Sequence, residues 1–231
     1  MYLTLKNNAI NNNKMDCKII LLIMNCKKYS FKAETQKKTW LQKLPSYLKY
    51  YHVVGCEEME QSFFFDDESK ILLLKTADDY NSLPKKVISA YEAVFTKYPD
   101  TDYIFKTDDD QMVNTVHFFD VISKTLNSKI NACDKIHYGG FVVDVPKPYL
   151  SQYHRVHPEL PEYLPIYATK YCSGRFYLLS KEAIDNLLLK KDKICSLYLE
   201  DYAIGFHLDE KFKKNIFQLQ TQKYFNDMNM S

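Results

Sequence analysis

Three successive carboxylates, Asp108-Asp109-Asp110, have the spacing in this sequence that most favours chemistry. Residues 103–106, just before them, are mostly apolar and predict a buried strand, so the triplet would sit where water is scarce and like charges repel. A divalent cation relieves that repulsion, because Mg²⁺ and Mn²⁺ prefer oxygen ligands and bridge one or two carboxylates to substrate phosphates. The triplet therefore predicts a metal and phosphate site, with a solvated acidic turn as the plainer alternative.

A second acidic pair, Glu200-Asp201, lies at the start of a predicted helix. Acidic residues at this position commonly complement the helix dipole. Beside a metal and phosphate site, the same pair is a candidate general base that removes a proton from an attacking hydroxyl. Gly174 precedes another predicted strand, where a glycine allows close approach of the backbone to a ligand.

Two other interpretations of polar motifs are weaker. An EF-hand needs Gly and Glu at its sixth and twelfth positions, and counting from Asp108 these positions hold Val113 and Phe119. His154 and His157 form H-x-x-H within a proline-rich segment. This pattern favours a surface loop over a metal site.

The elements that must position these groups alternate along the chain. Gly139-Gly140 is expected to break a strand within residues 135–143, and Ser82 is expected to cap the helix that begins at Pro84. Hydrophobic patterns predict strands at 18–24, 50–54, 70–75, 103–106 and 176–179, and helices at 31–44, 84–98, 116–126, 181–189 and 202–208. This order predicts an α/β fold with a mostly parallel sheet flanked by helices, in which ligands bind at the carboxyl ends of strands.

Bulk composition limits the classes of function. The chain has 231 residues, of which 46% are hydrophobic, and this predicts a single globular domain at residues 17–231 after a polar tail at residues 1–16. The net charge of +2 does not favour nucleic acid as a partner. The apolar run at residues 19–24 is far short of the ~20 residues that span a bilayer, so we expect no membrane span and a cytoplasmic location. Six scattered cysteines without a C-x-x-C pair predict free thiols.

These motifs together resemble the β-1,3-glycosyltransferases of glycosyltransferase family 31, which includes galactosyltransferases, N-acetylglucosaminyltransferases and the fringe enzymes. Six segments within residues 18–208 match in the family's order. They are the basic helix with Lys32, Lys37 and Thr39-Trp40, D-x-Y-x-N-L-T-x-K at 78–86 except at two places, K-T-D-D-D-x-x-V-N at 106–114, Y-x-G at 138–140, C-S-G-G-G-Y-V-L-S at 172–180 and E-D-V-Y-x-G at 200–205.

The resemblance implies a GT-A fold and an inverting transfer of a hexose from a UDP-sugar to a hydroxyl of a glycan or glycoprotein acceptor. It implies Mn²⁺ or Mg²⁺ as the cofactor, held by Asp110 and Asp108, with Asp201 as the catalytic base and Glu200 beside it. By position, it implies a donor-binding set of Lys37, Asp78, Lys86, Asp108, Asp109 and Gly174.

The sequence also departs from the family pattern. Arg175 and Phe176 replace the second and third glycines of the C-S-G-G-G segment, and we expect their side chains to narrow the pocket. The family's metal-binding histidine after the E-D motif is absent, so Asn226, Asp227 or water is expected in its place. We also expect the chain to lack the family's usual membrane anchor. A catalytically weak or inactive UDP-sugar- or glycan-binding relative is therefore the alternative function, and a phosphatase or nuclease is a third.

Overall fold

The computed structural model describes residues 17–228, so the predicted polar tail at residues 1–16 lies outside the described residues. The strands are β1 (Ile19–Met24), β2 (Lys49–Gly55), β3 (Phe63–Asp66), β4 (Ile71–Leu74), β5 (Tyr103–Asp108), β6 (Gln111–Val113), β7 (Tyr138–Val145), β8 (Tyr149–Ser151), β9 (Leu164–Ile166), β10 (Thr169–Ser180), β11 (Phe217–Gln218) and β12 (Phe225–Asp227). The α-helices are α1 (Ser30–Lys38), α2 (Leu83–Lys97), α3 (His117–Asn131), α4 (Lys181–Leu188), α5 (Lys191–Cys195), α6 (Glu200–His207) and α7 (Glu210–Lys213).

Within residues 17–228, eight strands form one mixed sheet in the order β11-β7-β10-β5-β1-β2-β4-β3. Strands β4, β2, β1 and β5 are mutually parallel, whereas β10 is antiparallel to β5 and to β7, and β3 is antiparallel to β4. The predicted α/β fold with a mostly parallel sheet is confirmed. The carboxyl ends of the four parallel strands meet at one edge, which is where ligands bind in such sheets.

Helices cover both faces of the sheet, and β1 shows how the sequence specifies this. Successive side chains of a strand point to opposite faces, so an unbroken apolar run supplies two cores. Ile20, Leu22 and Met24 pack in the core that includes residues of α2, α4 and α6. Ile19, Leu21 and Ile23 pack in the other core, against α3 and Trp40.

Two local predictions are wrong. Gly139 and Gly140 do not break a strand, because both pair with β10 inside a continuous β7. A Cβ on Gly140 would lie 2.7 Å from the Cβ of Cys172, so glycine allows a close approach between these strands. The side chain of Ser82 does not cap α2; its backbone N–H donates to Asp79 Oδ1 over 2.8 Å.

The segment predicted as a loop contains more structure than the sequence indicated. Residues 146–168, which we call the aromatic lobe, contain the antiparallel ribbon of β8 and β9. Leu164 and Ile166 of the lobe form a separate apolar cluster with Val145 and with Tyr202 of α6. Among the described residues, no helix has both the length and the apolar character needed to cross a bilayer.

Candidate active site

A buried lysine joins the two acidic motifs at the carboxyl edge of the sheet. Lys106 lies in β5 with a side chain that is 1% exposed, and its Nζ is 2.8 Å from Asp108 Oδ1 and 2.9 Å from Glu200 Oε2. The same Nζ donates to the carbonyl of Gly174 over 3.1 Å. The structure therefore brings together the triplet, the E-D pair and the glycine segment, which lie far apart in the sequence.

The charge of Lys106 is stabilised by its neighbours. Burial opposes the protonated form, but the carboxylates of Asp108 and Glu200 outweigh burial and raise the pKa of Lys106. Glu200 also accepts a hydrogen bond from the hydroxyl of Tyr177, over whose ring Lys106 Nζ lies at 5.6 Å from the centroid. Glu200 is thus a buried ion-pair partner in this structure, and its carboxylate holds Lys106 in place.

The carboxylates of Asp201 and Asp108 both lie beside Gly174. Its Oδ2 accepts from the backbone N–H of Gly174 over 2.9 Å, and its Oδ1 accepts from the N–H of Tyr202 over 2.7 Å. A Cβ on Gly174 would lie 3.3 Å from Lys106 Nζ and 3.5 Å from both Asp108 Oδ2 and Asp201 Oδ2. The two carboxylate oxygens are therefore separated by at most twice that distance.

The pKa of Asp201 is raised, which favours its use as a base. Burial is the main cause, and the charge of Glu200 adds to it, while Lys106 and the N–H groups of Gly174 and Tyr202 lower the pKa. A carboxylate with a raised pKa accepts a proton more readily from a hydroxyl within hydrogen-bond reach.

The helix α1 supports the triplet from behind. Lys32 Nζ lies 3.2 Å from Asp109 Oδ1, and both side chains are largely buried. Burial raises the pKa of Asp109 to about 6 although Lys32 opposes the rise. Gln36, one turn further along, donates from Nε2 to the carbonyls of Asp108 over 3.1 Å and Gln111 over 2.8 Å. The sequence analysis missed Gln36, although its i,i+4 spacing from Lys32 was a usable signal.

Lys37, predicted to bind the donor, lies on another side of α1. Its Nζ is 2.9 Å from Glu34 Oε1, and no described carboxylate of the triplet pairs with it. The basic side chain of this helix that reaches the triplet is Lys32.

Asp78 and Lys86 form a buried ion pair at the same edge of the sheet. Lys86 Nζ lies 2.6 Å from Asp78 Oδ1 and donates to the carbonyl of Asn25 over 2.9 Å. Asp78 also accepts from the backbone N–H groups of Gly55 over 2.8 Å and Lys27 over 2.7 Å. The pair fixes the loops that follow β1 and β2, and so shapes the wall beside the triplet.

The C-terminal strand β12 pairs with β6 and returns the chain to Asp110. Gln111 Nε2 donates to Asp110 Oδ1 over 2.8 Å and to Asp227 Oδ1 over 2.9 Å. Arg175 Nη2 lies 2.9 Å from Asp227 Oδ1, and Asn226 donates to Asn114 Oδ1 over 2.7 Å. Asp227, a suggested replacement for the family histidine, is thus held by Arg175 and Gln111.

The expectation that Phe176 narrows the pocket is wrong. Its side chain is completely buried in the core that contains Ile19 and Leu21, with its ring centroid 5.1 Å from that of Phe225. Arg175, in contrast, is not in this core: it donates to the carbonyl of Phe225 over 3.2 Å and to Asp227 over 2.9 Å.

The acidic residues fit a cation that is shared with a ligand. Among residues 17–228, no group of three or more His, Cys, Asp or Glu side chains forms a cage for a metal. Burial nevertheless raises the pKa of Asp108 to about 7 in spite of Lys106, and Glu200 and Asp110 contribute to the rise. The side chain of Asp108 is 31% exposed. One or two carboxylates with excess negative charge suit Mg²⁺ or Mn²⁺ when substrate phosphates complete the shell.

Comparison with known families and proteins gives consistent matches. The family model described as galactosyltransferase matches residues 33–213. A UDP-GalNAc:beta-1,3-N-acetylgalactosaminyltransferase 1 of Sus scrofa is 29% identical over 132 residues, which cover 57% of this chain and 38% of the relative. A beta-1,3-galactosyltransferase 5 of Mus musculus is 22% identical over 224 residues, covering 91% of this chain and 70% of the relative. The chain therefore spans less than two fifths of the length of the first of these relatives.

Solved structures give weaker likenesses. One is a glycosyltransferase involved in the glycosylation of the major capsid of PBCV-1, with 18% identity, a TM-score of 0.40 and coverage of 78% of this chain and 65% of that one. Another is the glycosyltransferase GlyE of Streptococcus pneumoniae TIGR4, with 14% identity, a TM-score of 0.44 and coverage of 90% and 46%.

Proposed function

This chain belongs to the galactosyltransferase family, and from that premise we propose that it transfers a hexose from a UDP-sugar to a hydroxyl of a glycan or glycoprotein acceptor, with inversion at the anomeric carbon. The hexose is of the galactose, N-acetylglucosamine or glucose type. The proposal includes dependence on Mn²⁺ or Mg²⁺ held by Asp108 and Asp110.

The observation that supports this proposal most is the convergence at Gly174. Asp108 and Asp201 each place a carboxylate oxygen 3.5 Å from the position of a Cβ on this residue, and Lys106 lies 3.3 Å from it. The absence of a side chain leaves room between a phosphate-side carboxylate and a base-side carboxylate. A sugar that bridges leaving group and attacking hydroxyl needs this arrangement.

In the proposed reaction, Asp201 accepts the proton of the acceptor hydroxyl as that oxygen attacks C1 of the sugar. The new C1–O bond forms on one face while the bond from C1 to the diphosphate oxygen breaks on the other, and UDP leaves with the electron pair. A bound divalent cation supplies neutralisation of the charge that develops on the diphosphate. A base in the correct place contributes on the order of 10²–10⁴-fold in rate.

The two hydrogen bonds from the N–H groups of Gly174 and Tyr202 orient Asp201, and leave it facing the space above Gly174. Lys106 bridges the carboxylates of Asp108 and Glu200 over 2.8 and 2.9 Å, and so fixes their relative position. These contacts thereby hold the proposed base, Asp201, and the proposed metal-binding carboxylate, Asp108, in fixed relative positions before a substrate binds.

The test is turnover of UDP-galactose, UDP-N-acetylglucosamine and UDP-glucose with a panel of glycoside acceptors, in Mn²⁺ and in EDTA. Asp201→Asn should lower kcat by about 10²–10⁴-fold with UDP binding unchanged. Asp110→Ala should weaken the Mn²⁺-dependent binding of UDP. The matched control is Asp134→Asn, since Asp134 forms an exposed ion pair with Lys129. Full transfer by both folded site variants would refute the assignment.

The alternative of an inactive UDP-sugar-binding relative has one observation in its favour. Arg175 and Gln111 both bond to Asp227, and these contacts compete with a cation for this carboxylate. On that alternative, wild-type protein binds UDP but neither hydrolyses nor transfers the sugar with any acceptor of the panel.

A further inference from the structure

Three aromatic rings form a stacked column at the rim of the candidate active site. The rings of Tyr80 and His157 are 4.1 Å apart at an interplanar angle of 12°. The rings of His157 and Tyr153 follow at 5.1 Å and 27°. Tyr153 is 46% exposed, so the column ends at an aromatic surface that is accessible to a ligand.

The aromatic lobe is attached on both sides of the acidic centre. Asn81, next to Tyr80, donates from Nδ2 to the carbonyl of Glu159 over 2.9 Å. At the other end of the lobe, the N–H of Tyr167 donates to the hydroxyl of Tyr202, the residue after Asp201, over 3.0 Å. The lobe therefore lies between the start of α2 and the start of α6.

Electrostatics indicate that Tyr153 is close to the carboxylates. Burial raises the pKa of its hydroxyl, and the charges of Asp201, Asp108 and Asp110 raise it further. The pKa of Tyr171 is also raised, by burial and then by Asp201, and its ring packs edge-on to Tyr202 with centroids 6.0 Å apart.

The lobe is built to keep its shape without a ligand. Five of the eight prolines of the chain lie within residues 146–168. Leu164 and Ile166 are buried against Tyr202, so the base of the lobe has its own small core. A surface that is rigid before binding loses less conformational entropy when a ligand is bound.

The charges of the lobe balance. Lys147 and Arg155 oppose Glu159 and Glu162 within residues 146–168. On the site side, the carboxylates of Asp201, Asp108 and Asp110 act on Tyr153, and their negative charge disfavours an anion beside it. An anion is therefore disfavoured on this surface, whereas a neutral molecule with an apolar face suits it. A pyranose ring with axial C–H groups presents such a face to an aromatic ring.

We propose that Tyr153 forms the acceptor subsite, where the terminal sugar of the acceptor, a neutral pyranoside, stacks on the exposed ring while its hydroxyl points to Asp201. His157 supports this ring from behind, because its own two faces are covered by Tyr80 and Tyr153. This proposal rests on the function proposed above and assigns its acceptor class. Tyr80 supports the column from the α2 side. Tyr149, Tyr163 and Tyr167 are 51%, 74% and 52% exposed, and extend the aromatic surface for further sugar units.

The experiment measures binding by saturation-transfer NMR and titration, with UDP and Mn²⁺ present. The neutral probes are the methyl β-glycosides of galactose, glucose and N-acetylglucosamine, and the anionic probe is methyl α-N-acetylneuraminide. At least one neutral glycoside should bind, and Tyr153→Ala should raise its Kd by about 10-fold, the loss of one stacking contact. Tyr153→Phe should restore binding, since the ring is kept.

Phe64→Ala is the matched control, because Phe64 is 50% exposed on β3, outside the aromatic lobe, and should leave the Kd unchanged. Isothermal titration of the wild-type protein with UDP separates the two proposals. If the wild type does not bind UDP, the proposed function is wrong, whereas the result with the glycosides is unaffected. The acceptor subsite is overturned if no neutral glycoside binds, if the sialoside binds as tightly, or if Tyr153→Ala weakens UDP and not the glycoside.

Discussion

Replacing Lys106 with methionine tests whether the site is held together by its buried charge. Methionine keeps an unbranched side chain that is one atom shorter and removes the ammonium, so that the carboxylates of Asp108 and Glu200 face each other. Glu200 is 2% exposed at its side chain, so water cannot replace the lost partner. Breaking a buried ion pair from one side costs about 3–5 kcal/mol, because a charge stays buried without compensation.

Urea denaturation followed by circular dichroism measures this loss. The matched control is Lys97→Met, which breaks an ion pair of 2.6 Å with Asp67 whose side chains are 29% and 59% exposed. An exposed pair contributes at most about 1 kcal/mol, so this variant should unfold close to wild type. The double variant Lys106→Met with Glu200→Gln should recover at least about 1 kcal/mol relative to Lys106→Met, since one of the two repelling charges is gone.

A smaller loss of unfolding free energy in Lys106→Met than in Lys97→Met would refute this expectation. So would a further loss of unfolding free energy when Glu200→Gln is added to Lys106→Met. Either outcome would mean that the carboxylates find other partners, and that Lys106 does not position Asp108.

Three further outcomes are expected. Burial and the charge of Lys37 lower the pKa of His52 to about 3. Between pH 6.5 and pH 3, His52 is protonated in the unfolded chain and neutral in the folded chain. The free energy of unfolding should therefore fall by up to about 1.4 kcal/mol for each pH unit below 6.5. His52→Asn should flatten that dependence in urea denaturation, and an equal slope would contradict the assignment. Gly205→Ala places a Cβ 2.2 Å from the Cβ of Tyr171. This clash should lower the free energy of unfolding by about 1–3 kcal/mol, although alanine has the better helix propensity. A lower Tm is the expected result, and a raised Tm would contradict the clash. Gly174→Ala should keep the fold and lower kcat on the order of 10²-fold, because the substrate is displaced; unchanged turnover would argue against the space above this residue as the reaction site.

Much of the fold follows from local patterns in the sequence. The apolar run in β1 indicated a doubly covered strand, and the apolar segment before Asp108 indicated that the triplet ends a strand at the ligand edge. Each of these predictions needs only the period of two and the length of the run. The predicted bounds of α2 and α4 agree with the observed ones to within one residue. Pro84 lies in the first turn of α2 and Pro99 follows its end, while Ser180 caps α4 with its side chain.

The composition of the site could be predicted only in part. That Lys106 is buried between Asp108 and Glu200 depends on the antiparallel insertion of β10 beside β5, and strand order is a long-range property. Lys32 and Lys37 are both lysines of α1, and only the rotation of this helix about its axis decides which of them meets Asp109. The shift of register in β10 between Cys172 and Tyr177 places Gly174 at the centre, and no local pattern indicates it.

The position of β12 has a consequence for synthesis of the chain. Gln111 and Asp227 are 116 residues apart, yet one amide of Gln111 joins Asp227 to Asp110. At about 5–20 residues per second on the ribosome, roughly 6–23 s separate the appearance of these two residues. During that interval the nascent chain exposes β6 as an unpaired edge, and the acidic triplet lacks its closing strand. Slower translation, or deletion of the last residues, should therefore lower the yield of folded protein more than it lowers the turnover of the protein that does fold.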